Sequence, residues 1–432
     1  MVMKNLRQKY TLYTFFLGLV ALSACKKDYL NPNAPVAEDV MTSSRALTGV
    51  TTGLQKSIST TRAGLLYASI TLNGITTNEL ISINTGNTSE ERLMAGGVQV
   101  DGTNSVVLNV WTAANKVIFD ADNVINNAAN LADKNYAAGL IAHASIFKAM
   151  ALGNLSEYWE KVPAGIGQNI GFITRVEGFN KAIATIENAQ AVIAANPISS
   201  TFLGNVPAEV DIPNTLNALK ARYALFAGNY TLALSAANAV DLIKTSLFNY
   251  DAQNLNSIFE VATSTNNVVQ PKNINLGQTG AFVPDAGDLR IPFYTTINTT
   301  VRIKGFAAST LAPFPLYLPG EMTLIKAEAY ARQATPNLIS ALTELNKVVT
   351  KTPAQDPLGV GAGLLPLTGP YTQQQLLDLI YKHRCIELFM SGLKLEDMRR
   401  FNQPLADRKR NFFPYPFPER DNNTNTPADP SF

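Results

Sequence analysis

Apolar residues recur along most of the chain at steps of three and four, the spacing that lines one face of an α-helix. Leu140, Ala144, Phe147, Ala151 and Leu155 form one such series, and Leu216, Leu219, Tyr223 and Phe226 form another. Tyr230, Ala233, Ala237 and Val240 repeat the spacing directly afterwards. Gly228-Asn229 separates the last two series, so "LKARYALFAGNYTLALSAANAV" predicts a helix, a tight turn and a second helix.

This joint resembles the helix-turn-helix unit of tetratricopeptide repeats, where small residues such as Ala233 let antiparallel helices approach closely. Glu321 to Val348 repeats the idea less tidily, with Pro336 in the turn, and "IENAQAVIAANP", ending at Pro197, reads as another second helix. The fold class expected is mainly α, a tetratricopeptide-like helical-repeat body with long irregular loops and little β. One folded domain is expected over residues 41–432. Within it, about 261–319 reads as a loop-rich insertion, because its Asn-, Thr- and Gly-rich sequence has no helical period. Asn73 to Asn104 has a similar look. Ordered loops of this kind are where binding residues concentrate.

"QQQLLDLIYKHRCIELFMSGLKLEDMRRF" predicts one strong helix from Gln373 to Phe401. Leu377, Tyr381, Cys385, Leu388, Gly392 and Leu395 trace its apolar stripe, which places Cys385 on the buried face as a packed thiol. His383 falls off that stripe and is expected in solvent. His143 borders the apolar face of its own helix and is expected packed. No Cys/His cluster has zinc-site spacing.

The N-terminus changes the picture of where the chain works. Lys4, Arg7 and Lys9 precede an apolar run from Leu12 to Leu22, the layout of a secretory signal peptide over residues 1–24. The run is about half the ~20 residues of a spanning helix. Leu22-Ser23-Ala24-Cys25 fits a bacterial lipobox at every position, with Cys25 as the lipid-bearing residue and 25–40 as a tether. The alternative is an ordinary signal peptide with a chance cysteine, and the scarcity of cysteine (2 in 432 residues) favours the lipobox. Removing the signal leaves 32 basic against 33 acidic residues, so no basic block points to nucleic acid. Charged residues are 16% of the chain, below the ~25% of ordinary domains, and Asn, Thr and Ala take their place.

"RCIELFMSGLKLEDMRRF" resembles the C-terminal signature of SusD/RagB-type outer-membrane lipoproteins of Bacteroidetes. Arg384, Glu387-Leu388, Gly392, Lys394, Asp397-Met398 and Arg400-Phe401 take the signature positions. Ser391 stands where glutamate is usual, and Leu395 where an aromatic is common. "FFPYPFPERDNNTN", "GEMTLIKAEAYAR", "VWTAANKVIFDADNVINNA" and "CKKDYLNPNAP" resemble further family segments, in the family's order. The resemblance implies a non-catalytic lipoprotein at the outer surface, built on tetratricopeptide-like helices. It would capture oligosaccharide or peptide for a SusC-like TonB-dependent transporter. No cofactor is implied. A structural calcium ion stays open, since some relatives hold ions in loops, although no EF-hand loop is visible here.

Sugar recognition needs aromatic faces and hydrogen-bonding amides. Trp111 and Asn115, opening the early helix, and Phe282, Tyr294 and Phe306, in the loop-rich stretch, are the candidate ligand-binding residues. Trp111 reads equally well as a core anchor, and Trp159 as packed at a helix end. Two other functions compete. A glycoside hydrolase would need paired carboxylates, for which Glu90, Glu91, Glu260, Asp285 and Asp288 are available. A helical-repeat adaptor would bind protein alone.

Overall fold

The structure, a computed structural model, describes residues 42–264 and 268–432. Cys25 and the tether lie outside the described residues. In chain order come α1 (Ser44–Ser59), α2 (Leu65–Thr76), β1 (Leu80–Ser82), α3 (Thr88–Ala95), α4 (Ser105–Ala128) and α5 (Lys134–Tyr158). After these follow β2 (Lys161–Pro163), β3 (Phe172–Thr174), α6 (Arg175–Ala195), α7 (Ile212–Phe226) and α8 (Tyr230–Asn238). The loop-rich stretch and its approach carry β4 (Leu247–Phe248), β5 (Val269–Pro271), β6 (Thr295–Asn298), β7 (Thr300–Ile303) and β8 (Phe314–Pro315). The chain then returns to helix with α9 (Pro319–Arg332), α10 (Leu338–Val349), α11 (Gln373–Glu387) and α12 (Lys394–Arg400). Helix makes up 55% and strand 6%, so the chain is mainly α, and the strands described form only antiparallel pairs.

The helices from α4 to α10 form a row in which each packs on its successor, the arrangement of a helical solenoid. The sequence sets their ends. Asn104 Oδ1 accepts from the backbone N–H groups of Val106 and Val107 at the start of α4, and Asp133 Oδ1 caps α5 from Tyr136. Thr174 and Glu177 form a capping box on α6, as do Thr372 and Gln375 on α11. The α7–α8 turn falls where predicted: Gly228 adopts φ +79°, a left-handed conformation natural to glycine, and Asn229 caps α8. The second helix of the row, α5, is long and apolar enough to cross a bilayer yet enclosed by its neighbours. Glycines let it approach them: a Cβ on Gly153 would lie 2.2 Å from the Tyr223 ring of α7.

Three expectations are corrected. Asn73–Asn104 is not simply loop, because it holds the end of α2, β1 and α3. Every residue of α2 is buried, so it has no amphipathic period to betray it. Gln373–Phe401 is two helices rather than one. Met390 (φ +61°) and Gly392 (φ +81°) break it, and the Gly392 carbonyl accepts from the Asn73 amide and the Tyr158 hydroxyl. His383 is buried rather than solvated, because Arg290 from the loop-rich stretch covers it and donates to its Nδ1 at 2.9 Å. Burial, with Arg290 and Lys382 nearby, holds that imidazole neutral.

Both tryptophans of the chain fasten the C-terminal segment. Trp159 Nε1 donates to the Pro414 carbonyl at 3.1 Å and Trp111 Nε1 to Glu419 at 3.3 Å. Their rings meet edge to face at 4.8 Å, and Tyr415 closes on Trp111. Trp159 is fully buried and caps α5, as its position at the helix end suggests.

Candidate functional site

The structure separates the five nominated residues into four places. Trp111 is buried in the aromatic cluster of Trp159, Phe172 and Tyr415, where no face is left for a ligand. Tyr294 is buried too, its hydroxyl donating to the Glu387 carbonyl at 2.6 Å. Phe306, half-buried, packs against Tyr294, Phe293 and Phe314. Phe282 packs edge to face on Tyr381 at 4.9 Å, in a separate apolar cluster of α9, α10 and α11. Asn115 lines an open groove, and Phe306 a second, smaller pocket.

That groove runs between α4, α5 and α6. The core stripe of α4 (Val107, Val110, Trp111, Ala114, Val117, Ala121 and Val124) turns inward. The helix edge beside that stripe carries Asn115, Ile118 and Asp122 into the groove. Lys148 of α5 faces them and pairs with Asp122 at 2.5 Å. Lys181, Thr185 and Asn188 of α6 form the opposite wall, one turn apart from each other. The β2–β3 loop closes one end, held by the Lys181 ammonium on the Ala164 carbonyl, with Ile166 exposed beside it. Burial and the neighbouring Lys148 charge pull the Lys181 pKa below the usual lysine value, with Asp122 opposing.

Chemically the groove offers two ammonium groups, one carboxylate, two amides and a hydroxyl over an apolar floor of Ile118, Leu152 and Leu155. Asn115 Nδ2 is committed to the Trp111 carbonyl, which leaves Oδ1 as the acceptor it can offer. Phe119, missed in the sequence reading, is 50% exposed, four residues after Asn115 and three before Asp122. That spacing puts it on the solvent side of the same helix edge, next to the residues that line the groove. The groove's volume is about 210 Å³, above the ~150 Å³ that admits a benzene ring. A second pocket, bounded by Phe306, Phe389, Tyr158 and the Arg222–Glu321 pair, has about 60 Å³ of space, too small for a sugar ring.

Leu388 and Gly392 of the signature line the smaller space, but its arginines and acids line neither. They are ion-paired inside the protein. Arg384 makes a bidentate pair with Asp397 (2.9 and 3.0 Å). Arg400 joins Glu328 to Asp397 at 2.9 and 2.8 Å. Glu387 receives Arg290 and Lys351. The three guanidinium groups around Glu328 overcome its burial and hold its carboxyl down to about 2. Burial pushes the Cys385 thiol up to about 12, in keeping with a packed side chain.

Acids open to a hydrolase reading are engaged likewise: Glu90 with Arg62 at 2.5 Å, Asp285 with Lys382 at 2.7 Å and Asp288 with Arg290 at 2.6 Å. Among the described residues no group of three or more His, Cys, Asp or Glu side chains is placed to hold a metal ion.

No protein-family model matches the chain, and no curated protein matches its sequence. Solved structures do match. A SusD superfamily protein from Bacteroides fragilis shares 18% identity over 90% of this chain and 99% of its own, with a TM-score of 0.65. A SusD superfamily protein from Parabacteroides distasonis shares 14% identity over 92% and 100%, with a TM-score of 0.68. A SusD-like carbohydrate binding protein from Bacteroides vulgatus shares 16% identity over 83% of each chain, with a TM-score of 0.63. The structural neighbours are consistently SusD superfamily proteins of Bacteroidetes, and at this identity the likeness is one of fold.

Proposed function

We propose that the chain is a SusD-like, non-catalytic capture lipoprotein that binds oligosaccharide and delivers it to a TonB-dependent transporter in the outer membrane. The observation carrying this reading is the shared fold over nine-tenths of the chain with a SusD superfamily protein, supported by a neighbour described as carbohydrate binding. The groove supplies fitting chemistry: amides and charged donors around space for one ring, with the exposed Phe119 on the neighbouring helix edge. The Leu-Ser-Ala-Cys order at Cys25 gives the anchor, and several acyl chains there would hold the protein at a membrane.

Two measurements test the reading. Calorimetry of the purified chain against a panel of oligosaccharides is expected to find at least one ligand. Affinity purification of the full-length chain from membranes is expected to bring a TonB-dependent transporter with it. Binding to peptides alone would move the cargo from sugar to peptide. Glycan cleavage by the purified protein would replace capture with hydrolysis.

A further inference from the structure

We infer that the groove between α4, α5 and α6 prefers a sugar bearing a carboxylate or sulfate over a neutral one. The inference rests on the sugar-capture reading and narrows it. Its basis is the charge left over in the groove. Lys148 and Lys181 both line it, against the single lining carboxylate of Asp122. Asp122 is already taken by Lys148 at 2.5 Å. The Lys181 ammonium rests on a neutral carbonyl, that of Ala164. Two cations and one anion therefore face the same partly buried space, and the second cation has no counter-charge of its own among the lining residues.

Burial and the Lys148 charge both disfavour the Lys181 ammonium, with Asp122 opposing them only in part. A bound anion would supply the missing charge and strengthen each hydrogen bond that Lys181 donates. Neutral hydroxyls supply hydrogen bonds but no charge. The rest of the lining suits a sugar more than an acidic peptide. Asn115, Thr185 and Asn188 bring neutral hydrogen-bonding groups suited to hydroxyls, and the exposed Phe119 ring lies on the same helix edge as Asn115. Three helices form the long walls, and the β2–β3 hairpin meets the groove only at one end.

A matched pair of probes tests this: a short galacturonate oligosaccharide and its fully methyl-esterified, uncharged counterpart, titrated into the full chain by calorimetry. The charged form is expected to bind about tenfold tighter, the scale of one added charged hydrogen bond. High salt should erase that preference. K181Q should abolish it, bringing the two probes to within about twofold of each other whatever the change in the ester's own affinity, and thermal melting checks that the variant is folded. Equal binding of the two probes, or a preference that survives K181Q, would overturn the anionic assignment and leave sugar capture standing. Failure of both probes while neutral glycans bind has the same meaning. Poly-glutamate binding as tightly as the galacturonate would show that charge alone is read, and would overturn the sugar assignment. If no glycan of either kind binds, the capture reading falls with it.

Discussion

Arg290 bonds the Glu387 carboxylate at 3.1 Å, with both side chains fully excluded from water and 97 positions apart in the chain. Arg290 belongs to the loop-rich stretch and Glu387 ends α11, so the pair ties the loops to the C-terminal helices. Asp288 holds the other side of Arg290, and Lys351 the other oxygen of Glu387. Removing one member of a buried pair leaves the other charge uncompensated and typically costs ~3–5 kcal/mol. R290M and E387Q are each expected to lower stability by about that much, read as a shift of the urea midpoint. A midpoint unchanged by either variant would show that the network is dispensable.

Gly320, in the first turn of α9, makes room for that carboxylate. A Cβ at this position would lie 1.8 Å from Glu387 Oε1. Inside a helix, glycine to alanine ordinarily gains up to ~1 kcal/mol. Here the sign reverses, because the methyl group and the carboxylate cannot share the space. G320A is expected to destabilise by ~1–3 kcal/mol, as overpacking does. A thermal midpoint above that of the wild type would contradict the close approach.

Glu157 sits fully buried beside the Arg222–Glu321 pair, and no described residue bonds its Oε1. Burial pushes its carboxyl up to about 8, although Arg222 pulls the other way. In the unfolded chain the same group titrates near 4.5. Between these values the folded state binds more protons than the unfolded state, so stability falls as pH rises. Glu79, raised by burial to about 7, adds to the slope. Glu328 behaves oppositely: its depressed pKa contributes stability above about 4.5 that is lost as pH falls toward 2. E157Q is therefore expected to flatten the decline in stability between about pH 5 and pH 8, with its largest gain over wild type at the alkaline end. Denaturation midpoints across that range decide it, and parallel curves for the two proteins would remove Glu157 from the account.

The helical body was legible because its signal is local. Periodicity, capping residues and the Gly228-Asn229 turn act over a few residues, and α5 through α8 follow them. Elements whose partners lie far along the chain were not. The fully buried α2 has no polar face to set a period, and the break after Glu387 depends on Asn73 and Tyr158 reaching the Gly392 carbonyl. His383 looked solvated because its cover, Arg290, comes from 93 residues away. The groove was half visible. Asn115 was named for its amide and its place after the first loop, but the aromatic beside it was taken to be Trp111. Counting four onward from Asn115 finds Phe119, while the inward stripe of α4 claims Trp111.

That difference gives a direct test of the groove. Phe119 is half exposed next to the groove, so F119A removes a stacking face and little packing. It should leave the melting temperature close to wild type. It should weaken the oligosaccharide found by screening by about tenfold, since aromatic contacts contribute ~0.5–1.5 kcal/mol beyond the area they bury. Trp111 is nearly sealed among Trp159, Phe172 and Tyr415 and bonds Glu419. W111A should destabilise by ~3–5 kcal/mol, the usual cost of emptying a buried aromatic site. Its binding loss should follow the fraction unfolded. The milder W111F keeps much of the packing and drops the bond to Glu419, so its affinity in the folded state should stay near wild type. The opposite pattern, with F119A silent and W111F weakening the ligand in a fully folded protein, would move recognition away from this groove and toward the aromatic cluster under the C-terminal segment.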